Sequence, residues 1–109
     1  MKKFSLAAIA RAEQGLAGTA SNGRSSRTVH GGHEKKLRQT VIALKAGTEL
    51  QEHDNPDEAT ILVLSGRIKL TSGEQIWEGR SEDFLILPQG RVQLSAIEES
   101  NVLFTVAKP

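Results

Sequence analysis

The sequence predicts an antiparallel all-β fold, a sandwich or barrel, preceded by one short helix. From Arg27 onward, short runs rich in Val, Ile, Leu and Thr follow one another, and turn residues interrupt them at short intervals. Many short strands with this spacing are typical of sandwiches and barrels. Before these runs, apolar residues occur at helical spacing instead, which indicates a helix at the start of the chain.

The opening segment, MKKFSLAAIARAEQGLA, predicts a short amphipathic helix over residues 4–16. Ser5 is a suitable N-cap, because its side-chain oxygen can accept a hydrogen bond from the first turn. Leu6, Ile9 and Leu16 are expected on one face. The apolar part of the segment is too short and too closely followed by charged residues for a signal peptide. We therefore expect a soluble, cytoplasmic protein with no membrane partner.

The stretch GTASNGRSSR follows the helix and has no hydrophobic period, which predicts a flexible connector. The chain is accordingly divided into residues 1–26, the helix and connector, and residues 27–109, the β domain. The strands predicted in that domain are RTVH, LRQTVIAL, ATILVLSG, RIKLTS, EQIWEG, DFLILP, VQLSAI and NVLFTVA. Turn residues such as Gly31-Gly32 and Ser65-Gly66 separate them.

Two of these strands, TILVLS and DFLILP, are apolar at odd and even positions alike. A strand of an open antiparallel sheet usually alternates, because one of its faces meets water. Both faces must therefore be covered here, and one short helix covers little. We expect Ile61 and Val63 inside the barrel. The other face, with Thr60, Leu62 and Leu64, is expected at or near the interface of a homodimer.

Composition excludes several classes of function. Of the 109 residues, 14 are Lys or Arg and 13 are Asp or Glu, so the formal net charge is only +1. The basic residues between Arg24 and Arg38 lack interleaved aromatics, and no nucleic-acid partner is expected. The chain has no cysteine, which excludes disulfides, thiolate metal sites and a cysteine nucleophile. No phosphate loop or Ser-His-Asp arrangement is recognisable.

The stretch GTELQEHDNPDEATILVLSG, residues 47–66, carries a more specific pattern. It resembles the first signature of the cupin family, which runs Gly, five residues, His-x-His, three or four residues, Glu, six residues, Gly. Gly47, His53 and Gly66 stand at family positions, and the spacing matches throughout. Asn55 takes the position of the second histidine, and Ala59 that of the glutamate.

The second cupin signature, Gly, five residues, Pro-x-Gly, two residues, His, is also recognisable. Pro88-Gln89-Gly90 keeps its centre, while Glu82 takes the leading glycine position and Gln93 the histidine position. The resemblance covers about residues 38–107. It implies a small antiparallel double-stranded β-helix, the jelly-roll barrel of RmlC-like cupins.

The resemblance also implies four positions for a metal. Cupin enzymes bind iron, manganese, nickel or zinc through three histidines and one glutamate. The corresponding residues here are His53, Asn55, Ala59 and Gln93. Ala59 has no donor atom, and the amide oxygens of Asn55 and Gln93 suit hard cations better than those metals. We therefore expect a degenerate metal site and no metal cofactor.

One alternative would rebuild a metal site from other residues. His30 and His33 lie in TVHGGHEKKL, around a Gly-Gly turn. If that turn folded over the barrel mouth, they would form a triad with His53. Solvated turn histidines are the simpler interpretation, because nothing in the sequence fixes their separation from His53.

The polar residues expected in the barrel interior are the candidate ligand-binding residues. These are His53, Asn55, Gln39 and Gln93. The amides need partners inside a barrel and would supply them to one another or to a small ligand. His53 would act as a general base or only satisfy a neighbouring group. Whether Val92 or Gln93 faces the interior depends on register, since a one-residue slip exchanges the faces of a strand.

These observations predict a metal-free, homodimeric cupin-fold module that is non-catalytic or weakly catalytic. It would bind a small polar ligand or a protein partner in a sensing or regulatory role. The alternative is an enzyme, either metal-dependent through the rebuilt site or a metal-free, isomerase-like catalyst with His53 as base. The barrel itself does not decide between them, because function resides in the site.

Overall fold

The computed structural model describes residues 1–50 and 58–108, and for residues 53–55 the backbone alone. In this part of the chain one helix is followed by nine strands. Their bounds are α1 Leu6–Thr19, β1 Arg24–His30, β2 Leu37–Leu44, β3 His53–Asn55, β4 Glu58–Ser65, β5 Arg67–Ser72, β6 Gln75–Arg80, β7 Phe84–Ile86, β8 Gly90–Ala96 and β9 Ser100–Ala107. All the predicted strands are present, and β3 is added to them.

The described strands form two antiparallel sheets. The larger has the order β1-β2-β9-β4-β7, and the smaller has the order β3-β8-β5-β6. Neighbouring strands come from distant parts of the chain: β2 pairs with β9 along its whole length, from Leu37 opposite Ala107 to Leu44 opposite Ser100. The predicted jelly-roll barrel with an N-terminal helix is confirmed.

The core lies between the two sheets. On β4, every second residue points into it, and Ile61 and Val63 are fully buried as predicted. β5 and β8 supply the opposite wall. The buried members of this core are Leu44, Ala59, Ile61, Val63, Ile68, Leu70, Leu87, Val92, Leu94, Ala96 and Val102.

Helix α1 packs on the outer face of the larger sheet. Ser5 caps it as predicted, since its Oγ accepts a hydrogen bond from the Ala8 backbone N–H at 3.2 Å. The buried helix residues are Ile9, Ala10, Glu13 and Ala17. Leu16 was expected on this face but is 56% exposed, because the buried residues follow i, i+4 spacing and leave it to one side. No helix in the described residues has the length and apolar character needed to cross a membrane.

Three polar contacts fix the position of α1 on the sheet. The buried Glu13 carboxylate accepts a hydrogen bond from Ser25 Oγ at 2.6 Å and lies 3.6 Å from Arg27 Nε. The buried Asn101 donates from Nδ2 to Gln14 Oε1 at 3.0 Å. Buried polar groups are costly unless they are paired. These contacts therefore favour one placement of the helix over others.

The connector between the helix and the barrel is shorter than the sequence predicted. α1 continues to Thr19, and β1 already begins at Arg24. All residues of β1 are exposed or half-buried, and β1 is an edge strand with one partner, β2. No apolar period therefore reveals its first half in the sequence.

Two turns at signature positions use left-handed backbone. Gly66 joins β4 to β5 with φ +93°, and a Cβ there would lie 2.7 Å from Ser100 Cα. Glu82, at the leading glycine position of the second signature, has φ +74° and is the one non-glycine residue with positive φ in the described residues. A glycine suits such a backbone without strain. The family therefore favours glycine at this position because of the backbone conformation. In this chain Glu82 adopts that conformation, with backbone strain.

Candidate ligand site in the barrel

The space between the two sheets contains a small apolar cavity of about 40 Å³. Its lining consists of Ile42, Leu50, Ile61, Leu70, Leu87, Val92, Leu94 and Phe104. None of these side chains has a hydrogen-bonding group. A polar group placed there would lose its hydration without compensation, so the cavity favours hydrocarbon.

A second cavity, of about 210 Å³, lies at the mouth of the barrel on β2 and β9. It is lined by Arg38, Thr40, Ile42, Phe104, Val106 and Lys108. Ile42 and Phe104 line both cavities, so the mouth leads along these side chains to the interior. Neither Arg38 nor Lys108 stands out in the sequence as a site residue. The alternation of LRQTVIAL could have indicated Arg38, because the even-numbered residues of this strand change from charged at one end to apolar at the other.

The structure places Val92, not Gln93, inside the barrel. Val92 is 2% exposed and belongs to the core. The Gln93 side chain lies on the outer face and donates from Nε2 to Glu49 Oε2 at 3.0 Å. Of the two registers that the sequence left open, the structure has the one with Val92 inside, since a shift of one residue exchanges the two faces of a strand.

Gln39 also lies outside the barrel, contrary to expectation. On β2 it shares a face with Val41, which packs against α1, whereas Ile42 points inward. Its Nε2 donates to Thr105 Oγ1 at 3.3 Å. Gln39 lines an open surface groove of about 840 Å³ beside the start of α1, together with His30. It is therefore separated from the apolar cavity by the thickness of the sheet.

Two of the three histidines, His30 and His33, have side chains that the structure describes. His30 and His33 are exposed at and beyond the end of β1. No cluster of three His, Cys, Asp or Glu that could hold a metal occurs among the described side chains. The side chains of His53 and Asn55 lie outside the described residues, so the rebuilt triad and His53 as a base stay predictions. The backbone register places His53 opposite Val92 in the β3–β8 pair.

The donors at the family's metal positions do not fit a transition metal. Ala59 is 4% exposed within the core and has no donor atom, and Gln93 faces away from the barrel. Zinc and related metals require about three or four nitrogen, oxygen or sulfur ligands in a defined geometry. Only His53 and Asn55 remain at these positions to supply them.

Comparisons with known proteins identify the fold. No family model and no curated protein matches the sequence. Among solved structures, a conserved protein of unknown function from Streptococcus pyogenes aligns with 83% of this chain and 78% of its own, with 26% identity and a TM-score of 0.74. A cupin superfamily protein from Desulfitobacterium hafniense aligns with 86% of this chain and 88% of its own, with 16% identity and a TM-score of 0.75. This chain has the cupin fold.

The cupin barrel is also similar to part of an enzyme. A salicylate 1,2-dioxygenase variant from Pseudoaminobacter salicylatoxidans aligns with 95% of this chain and 33% of its own, with 17% identity and a TM-score of 0.74. At this identity the likeness shows the fold alone. Because one fold carries many functions, the function of this cupin barrel has to be argued from its site.

A restored metal site would test the interior placement of Val92. We expect Asn55→His with Val92→His to bind nickel at least roughly tenfold more tightly than the parent, because position 92 faces inward beside position 53. Asn55→His with Gln93→His is the matched control and should titrate like the parent. Calorimetric titration gives both affinities, and circular dichroism verifies folding. Tighter binding by the control would contradict the register of β8.

Proposed function

We propose that this cupin barrel is a ligand-binding module that holds a small molecule between its sheets without a transition metal. The supporting observation is the interior cavity, whose described lining is entirely hydrocarbon. A cupin metal site would need a carboxylate at the position of Ala59 and an imidazole on the inner face of β8, where Val92 lies. This described lining is suited to binding, and its hydrocarbon side chains supply no group for chemistry.

A sensing or regulatory role fits such a barrel. A ligand that binds only the folded state stabilises that state, and the stabilisation grows with the logarithm of the ligand concentration once that concentration exceeds the dissociation constant. The walls of the mouth belong to β2 and β9, and α1 packs against the other face of the same sheet. A ligand in the cavity would therefore contact the inner face of this sheet. We expect that contact to change the packing of the outer face, where a partner would bind.

We further propose that two copies of the chain associate through the outer face of β4 and β7. α1 leaves Phe84 61% exposed and Ile86 78% exposed on this face. Their cross-strand partners are Leu62 and Thr60, so the patch has no charged side chain at these four positions. Such a patch can contact its own copy across a two-fold axis. Leu64 packs against the helix side instead and lies outside the proposed interface.

Protein purified without a polyhistidine tag should contain well below one equivalent of iron, manganese, nickel or zinc per chain. The reason is the shortage of donors at the family's metal positions. Inductively coupled plasma mass spectrometry of the parent and of His53→Ala measures the metal content. A parent with close to one metal per chain, lost in His53→Ala, would show that the metal-free assignment is wrong.

Native mass spectrometry of the same preparation tests ligand binding. We expect a small molecule retained by part of the parent protein and lost from Ile42→Trp, because the larger indole would fill the passage between the two cavities. Lys69→Gln, an exposed substitution on β5, is the control and should retain the molecule. Retention by Ile42→Trp as well would place the ligand outside the barrel.

A further inference from the structure

The cavity at the barrel mouth changes character from its inner to its outer end. Ile42 and Phe104 form the apolar inner end, where the cavity meets the interior. Arg38 and Lys108 provide positive charge at the outer end. Thr40 lies between the two ends, because it stands between Arg38 and Ile42 on the same face of β2. One end therefore favours an anion and the other favours hydrocarbon.

The positive charge at this mouth is not neutralised by the described residues. Neither Arg38 nor Lys108 takes part in an ion pair among them, and no described Asp or Glu lines the cavity. Lys108 Nζ donates to the carbonyl oxygens of Gly32 at 2.7 Å and His33 at 3.4 Å. These neutral acceptors orient the ammonium without cancelling its charge. Among the described residues, these charges therefore favour an anion at the outer end of the cavity.

We propose that the ligand of the barrel is a small amphipathic anion, an apolar carboxylic acid. Its carboxylate would be held at Arg38, a guanidinium that matches carboxylate geometry. Its hydrocarbon part would lie along Phe104 and Ile42 towards the interior cavity, where burial of apolar surface is favourable. This inference rests on the proposed function, namely that the barrel binds a small molecule, and adds the chemical class of that molecule.

The size and lining of the two cavities exclude other classes of ligand. Their volumes of about 210 and 40 Å³ are below the roughly 300–1,000 Å³ typical of sites for drug-sized molecules. A short chain or a single ring fits this space, and a nucleotide does not. A sugar would place its hydroxyl groups against hydrocarbon, and each would lose its hydrogen bonds to water.

Octanoate and 1-octanol are matched probes, because they share a hydrocarbon chain and differ in the charge of the head group. Calorimetric titration of the full chain should give a Kd for octanoate about tenfold or more below that for 1-octanol. Arg38→Gln should raise the octanoate Kd about tenfold and change the octanol Kd by less than about twofold. Lys69→Gln, far along the chain on β5, should change neither.

The outcomes separate this inference from the proposed function. Equal affinities for the two probes, or an octanoate Kd unchanged by Arg38→Gln, would overturn the anionic head group and leave a ligand-binding barrel in place. Loss of both probes in Ile42→Trp supports the barrel as their site. If the parent binds neither probe, the amphipathic class is wrong. If native mass spectrometry then also finds no retained molecule, the proposed ligand-binding function is contradicted as well.

Discussion

Phe84→Lys should convert a dimer of this protein into a monomer with a mass near 11.8 kDa. Phe84 is 61% exposed on the face that α1 leaves open. Each large apolar side chain buried in the dimer would contribute roughly 1.5–3 kcal/mol. The substitution removes that contribution and brings two like charges together near a two-fold axis, which is repulsive. Multi-angle light scattering at micromolar concentration measures the mass directly.

Ile76→Lys is the matched control for the dimer. Ile76 is also 61% exposed, but it lies on β6 at the edge of the smaller sheet. The mass of this variant should equal that of the parent, twice the mass of one chain. A monomeric parent protein would contradict the proposed dimer. A dimer that survives Phe84→Lys and dissociates with Ile76→Lys would move the interface to β6.

Gly66→Ala should lower the free energy of unfolding by about 3 kcal/mol or more. Gly66 has φ +93°, which L-residues rarely adopt. The added Cβ would overlap the Glu99 carbonyl oxygen and lie 2.7 Å from Ser100 Cα. These are backbone atoms, so they cannot rotate away as a flexible side chain would. Urea unfolding, followed by circular dichroism, measures the change.

Gly73→Ala separates the cost of backbone conformation from the cost of crowding. Gly73 also has a positive φ, +59°, but apart from its own chain neighbours no described atom lies within 4 Å of the position of its Cβ. Because this φ is close to the left-handed minimum, we expect a loss of only about 1–2 kcal/mol. If Gly66→Ala lowered the free energy of unfolding no more than Gly73→Ala does, that result would contradict the close approach of the β4–β5 turn to Ser100.

The crowding at Gly66 explains why a signature glycine is present although the metal donors are not. Ser100 Oγ accepts a hydrogen bond from the Arg67 backbone N–H at 2.9 Å and donates to the Glu98 carbonyl oxygen at 2.7 Å. The turn therefore packs against Ser100, the first residue of β9, and against the two residues before it. This role depends on the backbone and not on a metal.

Local sequence patterns predicted eight of the nine described strands, the helix cap and the turns. These features depend on residues close together in the chain: apolar runs of strand length, Ser5 ahead of a helical pattern, and glycines at left-handed positions such as Gly66. The cupin signatures added the order in which the strands form a barrel. Each of these features depends only on residue types and their spacing along the chain.

Which side chains meet depends on the pairing of strands that are distant in sequence. Val92 and Gln93 are adjacent in sequence, and the pairing of β8 with its neighbours placed one in the core and the other outside. Lys108 and Arg38 are distant in sequence and share the barrel mouth because β2 pairs with β9. Since a strand's two faces differ by one residue of register, composition and spacing leave both arrangements open. The contacts between strands selected one of them.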